Sequence, residues 1–233
     1  MAPSSSRGYL TRAGYFGRYN LGGAYSRLRR NPFVRRSEVE KKFLDTLQSA
    51  VAITNSWQVS NSQNLIVQDT TQSGRIGRKV VIKNIHCQGQ VVLSPDDDIT
   101  TPSNQKVRVM LMLDTQCNGA NPTASGISGV MLDTDVNSFH SLANKDRFKT
   151  LYECEEVLVA QAGAGTGVAG VNDFGGDIKK LEFHKKVNIP IEFDAAAGAI
   201  TEIRSNNLFW IFCGAATGVS TFTVRTRIRF TDM

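Results

Sequence analysis

Phe222-Thr-Val-Arg-Thr-Arg-Ile-Arg-Phe230 alternates without a break. In an extended chain Phe222, Val224, Thr226, Ile228 and Phe230 fall on one side, and Thr223, Arg225, Arg227 and Arg229 on the other. A helix would scatter the same residues around its circumference. The run is therefore a strand with one buried and one open face. Working back along the chain, Asn207 to Cys213 is a short, heavily apolar strand, and Ala195-Ala-Ala-Gly198 is a turn that separates it from a strand over Lys180 to Phe193. Gln161 to Gly176 is glycine-rich loop. Arg147 to Ala160 is a strand carrying Phe148, Leu151, Tyr152, Val157 and Val159. Asn137 to Asn144 has room for one helical turn, and Cys117 to Pro122 is a turn cluster. Lys106 to Asp114 places Val107, Val109, Leu111 and Leu113 on one face. Lys79 to Leu93 is a long Val- and Ile-rich strand, ended by Pro95 and Asp96-Asp97-Asp98.

Before Gly77 the pattern weakens. Asn55 to Ser73 is polar loop anchored by Trp57 and Leu65-Ile66-Val67. Lys41 to Ile53 follows neither period, and a first strand is placed at Lys42 to Thr46. Ser37 is a helix-cap candidate with Glu38 and Glu40 in the following turn. Seven or eight strands with almost no helix mean an all-β antiparallel sandwich or barrel. Connections of roughly 12–20 residues are too long for simple hairpins and fit Greek-key or jelly-roll wiring.

The other end of the chain differs in kind. Residues 1–36 hold Arg7, Arg12, Arg18, Arg27, Arg29, Arg30, Arg35 and Arg36, with no Lys, Asp or Glu. The chain's net charge is +6, and without this arm it is −2, from 19 basic against 21 acidic residues. A near-neutral body with one cationic tail is built to meet a polyanion. Tyr9, Tyr15, Phe16, Tyr19, Tyr25 and Phe33 are threaded between the arginines, and five glycines disfavour a helix. Guanidinium matches phosphate, and aromatic faces stack on unpaired bases at roughly 1–3 kcal/mol each. The arm reads as a disordered segment that binds single-stranded nucleic acid. A mitochondrial transit peptide shares this composition, and a solubilising tail is the plain alternative. Arg29-Arg30 and Arg35-Arg36 also match a weak nuclear-import pattern.

The division is thus 1–36 as arm and 37–233 as one β domain. No stretch approaches the roughly 20 apolar residues of a membrane span. No secretory signal is evident, so Cys87, Cys117, Cys154 and Cys213, widely spaced and without CxxC, read as reduced thiols. Cys87 and Cys213 lie in apolar runs and read as core fillers.

Three segments carry a family likeness in order: Gln72-Ser-Gly-Arg-Ile-Gly-Arg-Lys-Val80; Val107 to Asp114 followed by Gln116-Cys-Asn-Gly-Ala120; and Phe139 to Leu151. With Lys41 to Thr46 as a first strand, the chain resembles the capsid proteins of small circular single-stranded DNA viruses that encode their own replication initiator. Related shells occur in satellite viruses with RNA genomes. The likeness runs from Lys41 to about Val159. It implies a single eight-stranded antiparallel jelly roll of viral capsid type, assembled as identical copies into a small icosahedral shell (T=1), with the basic arm turned inward on to a packaged single-stranded genome, DNA favoured. It further implies a virion protein that assembles in the host nucleus, with itself and nucleic acid as partners, no cofactor and no catalysis. The reading from a different class is a cellular single-stranded nucleic-acid-binding module with a basic arm and no shell.

Beyond the arm, Arg75, Arg78 and Lys79 are candidate nucleic-acid contacts, or else solvated charges or structural charges on loop carbonyls. Arg225, Arg227 and Arg229 form a like-charged ladder that costs energy unless a phosphate or an acid lies opposite. Asp96-Asp97-Asp98 lacks the glycine turn and following glutamate of a calcium loop and reads as solvated. Gly165-x-Gly-x-x-Gly170 matches a dinucleotide fingerprint literally, but no helix start follows it. His86, His140 and His184 stand at no zinc-like spacing, and no nucleophile elbow or other catalytic constellation is found.

Overall fold

The computed structural model of the chain describes residues 41–93, 104–159, 161–162, 174–175, 177–217 and 220–233. The arginine-rich arm, Ser37 with its following acids, Asp96–Asp98 and Gly165–Gly170 lie outside them. The described residues form ten strands: β1 (Lys42–Ile53), β2 (Gln58–Val59), β3 (Lys79–Leu93), β4 (Gln105–Asp114), β5 (Phe148–Leu158), β6 (Gln161–Ala162), β7 (Phe174–Gly175), β8 (Ile178–Glu192), β9 (Asn207–Gly214) and β10 (Ser220–Asp232). Among the described residues, helix is limited to two 3-10 turns, Leu142–Asn144 and Ile200–Glu202. The fold is all-β.

Two four-stranded antiparallel sheets carry the architecture, in the orders β1-β10-β3-β8 and β2-β9-β4-β5. Of the strands in these sheets, only β4 and β5 are neighbours both in the chain and in a sheet. The alternation read at Phe222–Phe230 is the burial pattern of β10: Phe222, Val224, Thr226, Ile228 and Phe230 are buried, and Arg225, Arg227 and Arg229 are exposed. Its inward side chains pack with Val80, Ile82, Ile85, Cys87 and Val91 of β3 against Val107, Val109, Leu111 and Leu113 of β4 and Leu208, Trp210 and Phe212 of β9. Each such side chain contributes roughly 1.5–3 kcal/mol by leaving water. Thr226 is tolerated inside because its hydroxyl accepts from Trp210 Nε1 at 3.1 Å.

The second sheet is covered on both sides. Met110, Met112, Phe209, Ile211 and Cys213 point away from the main core into a second one, closed by Trp57, Val130, Met131, Val136 and Phe148. Val130, Met131 and Val136 belong to the long connection between β4 and β5, which folds back over this sheet. That is why β9 is buried at every position and reads as an unbroken apolar run. The first sheet keeps an alternating pattern on β10, so its outer face is open.

β1 extends well past the expected Lys42–Thr46. Its register with β10 slips between Gln48 and Val51, where Ala50 adopts φ 44°. This bulge moves the inward set from Leu44, Thr46 and Gln48 to Val51 and Ile53, which is why the segment fits neither period. Lys42 is buried, and its ammonium donates to Gly74 O at 3.0 Å and pairs with Asp232 at 3.1 Å. All four cysteines are free; Cys87, Cys117 and Cys213 are buried.

Candidate nucleic-acid interface

The open face of the β1-β10-β3-β8 sheet is assembled by register. Arg229 of β10 stands between Phe43 of β1 and Asn84 of β3, with Lys186 of β8 beyond. The next row is Asp45, Arg227, His86 and His184, and the third is Leu47, Arg225, Gln88 and Glu182. Thr223, Gln90 and Lys180 follow. Five permanent cations therefore share this face with two carboxylates and two imidazoles. Antiparallel pairing brings together side chains far apart in the chain, Asp45 and Arg227 being separated by 182 residues.

The arginine ladder is not uniform. Arg227 grips Asp45 through both carboxylate oxygens, Nε to Oδ1 at 2.7 Å and Nη2 to Oδ2 at 2.6 Å. This hydrogen-bonded pairing holds the Asp45 carboxyl below its usual range and raises the Arg227 guanidinium. Phe43 lies beneath the same guanidinium, 5.2 Å from ring centre to Cζ. Arg225 and Arg229 have no carboxylate partner among the described residues. The expected cost of three like charges is thus relieved by an acid at the centre alone. Two depressions flank Arg227. One, of about 250 Å³, is lined by Asp45, Leu47, His86, Gln88, Arg225 and Arg227. The other, of about 360 Å³, is lined by Asn84, His86, Glu182, His184, Arg227 and Arg229. A surface of exposed guanidinium groups with hydrogen-bonding neighbours suits phosphate oxygens and carries little means of reading bases.

Arg75 does not belong to this surface, which corrects its candidacy as a contact. It is wholly buried. Its guanidinium donates to Ile66 O at 2.9 Å, to Gly77 O at 2.7 Å and to Ala195 O, and it lies 4.3 Å over the Phe193 ring. Three loop carbonyls with no strand partner need a donor fork, and arginine supplies one. Arg78 is exposed; Lys79 is exposed and pairs with Glu192 at 3.5 Å. The arm candidates, Arg7 to Arg36 with their tyrosines, lie outside the described residues.

Among the members of the face that the sequence did not single out as site residues are Asp45, His86 and His184. The available signal was the polar set Asn84, His86, Gln88 and Gln90 at every second position of a strand, alternating with Ile85, Cys87, Gly89 and Val91. Among the described residues, no group of three or more His, Cys, Asp or Glu is placed to hold a metal ion, and no helix is long and apolar enough to cross a membrane. No protein-family model matches the chain, and no curated protein matches it in sequence.

Proposed function

We propose that the chain is a viral coat protein: a jelly-roll subunit that self-assembles into a small icosahedral shell (T=1) and condenses a single-stranded genome, DNA favoured, through its arginine-tyrosine arm.

 The observation that carries this reading is the nesting of the strands. Taken by themselves, the eight strands of the two main sheets pair first with eighth, second with seventh, third with sixth and fourth with fifth. Such nesting is what a jelly roll, two Greek keys rolled together, requires, and it supports the expectation drawn from the capsid likeness. Charge supports it as well. The body is near neutral and suited to pack against copies of itself, at roughly 800 Å² per partner for each stable contact. The arm is +8, and the open sheet face adds cations beside it in function. Packaging is a problem of charge neutralisation, so little sequence specificity is required. The reading includes assembly in the host nucleus and no catalytic role.

The test is size-exclusion chromatography of the full-length protein with absorbance at 260 and 280 nm, followed by negative-stain imaging of the leading peak. Closed, uniform particles with nuclease-protected absorbance at 260 nm are expected, because a coat protein forms a closed symmetric assembly. Removal of residues 1–36 should leave the β fold intact and strip the particles of nucleic acid. A monomer or small oligomer that binds added single strands and never closes, across salt and pH, would replace this reading with the cellular binding module.

A further inference from the structure

His86 and His184 face each other across the β3–β8 pairing, with ring centres 5.7 Å apart and planes at 78°. Neither ring makes a side-chain hydrogen bond among the described residues. Both line the 360 Å³ depression, together with Arg227, Arg229, Glu182 and Asn84, whose Oδ1 is buried without a partner among the described residues. An acceptor without a donor, two imidazoles with vacant nitrogens and two guanidinium groups converge on one concave spot.

We propose that this depression is a phosphodiester-binding subsite that takes up protons when it is occupied. The inference rests on the nucleic-acid reading of the face and adds a specific locus and a pH dependence to it. Histidine is the side chain whose charge ordinarily changes between about pH 5 and 8. The cations facing the two rings are Arg225, Arg227 and Arg229 of β10 and Lys180 and Lys186 of β8. The acids facing the pair are Asp45 of β1 and Glu182 of β8, and both are already engaged, with Arg227 at 2.6 Å and Lys180 at 2.6 Å. A bound phosphodiester adds a negative charge where those cations point, and so favours the protonated imidazoles. Each protonated ring then offers two N–H donors, to a phosphate oxygen and to acceptors such as Asn84 Oδ1. By reciprocity, whatever binding does to protonation, acidification does to binding. Arg227 and Lys180 also hold the Asp45 and Glu182 carboxyls below their usual range, so both stay ionised between about pH 5.5 and 8.

The experiment uses the full chain and a short oligothymidylate. Thymine and the phosphodiester both keep one charge state over this range, so a pH effect belongs to the protein. Calorimetric titration near pH 7 in two buffers of different ionisation enthalpy counts the protons taken up. The wild type should take up on the order of one proton per subunit more than the His86→Gln/His184→Gln variant, and its affinity should rise about tenfold or more from pH 8 to pH 5.5. The variant, checked for an unchanged β-type circular dichroism spectrum, should lose most of that rise. Equal proton uptake in the two proteins would overturn the subsite while leaving the nucleic-acid reading standing. Failure of the wild type to bind the oligonucleotide at either pH would overturn both. Single His86→Gln and His184→Gln variants guard against a folding defect in the double variant, and each should show an intermediate loss.

Discussion

Replacing Arg75 by methionine separates a structural role from a binding one. The side chain volume is roughly kept, but the donor fork is removed. Ile66 O, Gly77 O and Ala195 O then lose their partner inside a region that excludes water. Each unpartnered buried acceptor costs about 1–3 kcal/mol. Removing the charge itself returns part of that sum, since burial disfavours the cation and pulls the Arg75 pKa down. The stacking over Phe193 is also exchanged for thioether packing. The net expectation is a loss of about 3–5 kcal/mol, the range found when one side of a buried charged network is removed. With a slope of about 2 kcal/mol per molar urea for a domain of this size, the unfolding midpoint should fall by about 2 M. The assay is urea denaturation followed by tryptophan fluorescence, since Trp57 and Trp210 are both buried. Oligonucleotide affinity, measured at a temperature where the variant is folded, should stay within about twofold, because a fully buried cation makes no phosphate contact. A midpoint within about 0.5 M of wild type, or a large drop in affinity at unchanged stability, would refute the placement of Arg75 as a brace for the loops.

Three further outcomes follow from the same geometry. Arg225→Gln with Arg229→Gln should lower the slope of log affinity against log salt by about 1.4, near 0.7 per phosphate contact on a single strand, with stability changed by less than about 0.5 kcal/mol; salt-dependent anisotropy titrations measure it. Asp45→Asn should cost no more than about 0.5–1 kcal/mol at pH 7, because the pair with Arg227 is half exposed and screened. The folded-state pKa of Asp45 lies below its unfolded value, so the contribution is full above the ordinary carboxylate range and disappears as pH falls through the lowered one. Denaturation curves for the two proteins should therefore converge in acid. Burial pushes the Cys87 thiol up to about 12 and the Cys213 thiol up to about 11, so neither should react with a thiol reagent at pH 7.5 until the protein unfolds, a rate read by mass spectrometry.

Much of the fold is legible in the chain because half-buried strands write their burial into the sequence at a period of two. Lys79–Leu93 has the same ends in the structure as in the pattern, and the Phe222–Phe230 alternation is the core-and-surface division of β10. β1 was harder, because a bulge near Ala50 reverses the alternation midway and turns one strand into two half-patterns. The arm's charge and aromatic content, and with them the expectation of a polyanionic partner, are also properties of the sequence alone. Local pattern has no means of stating register between distant strands. Asp45 meets Arg227, and His86 meets His184, only because β1 aligns on β10 and β3 on β8. Likewise, Arg75 reads as one more basic residue before a strand until the carbonyls of Ile66 and Ala195, from two separate loops, close around it. Which sheet face stays open was decided by the long β4–β5 connection, whose Val130, Met131 and Val136 cover one sheet and leave the arginine face of the other to solvent. Side-chain periodicity is a local consequence of backbone geometry, whereas charge pairing, burial of isolated polar groups and the choice of exposed face depend on contacts between segments that only the folded chain brings together.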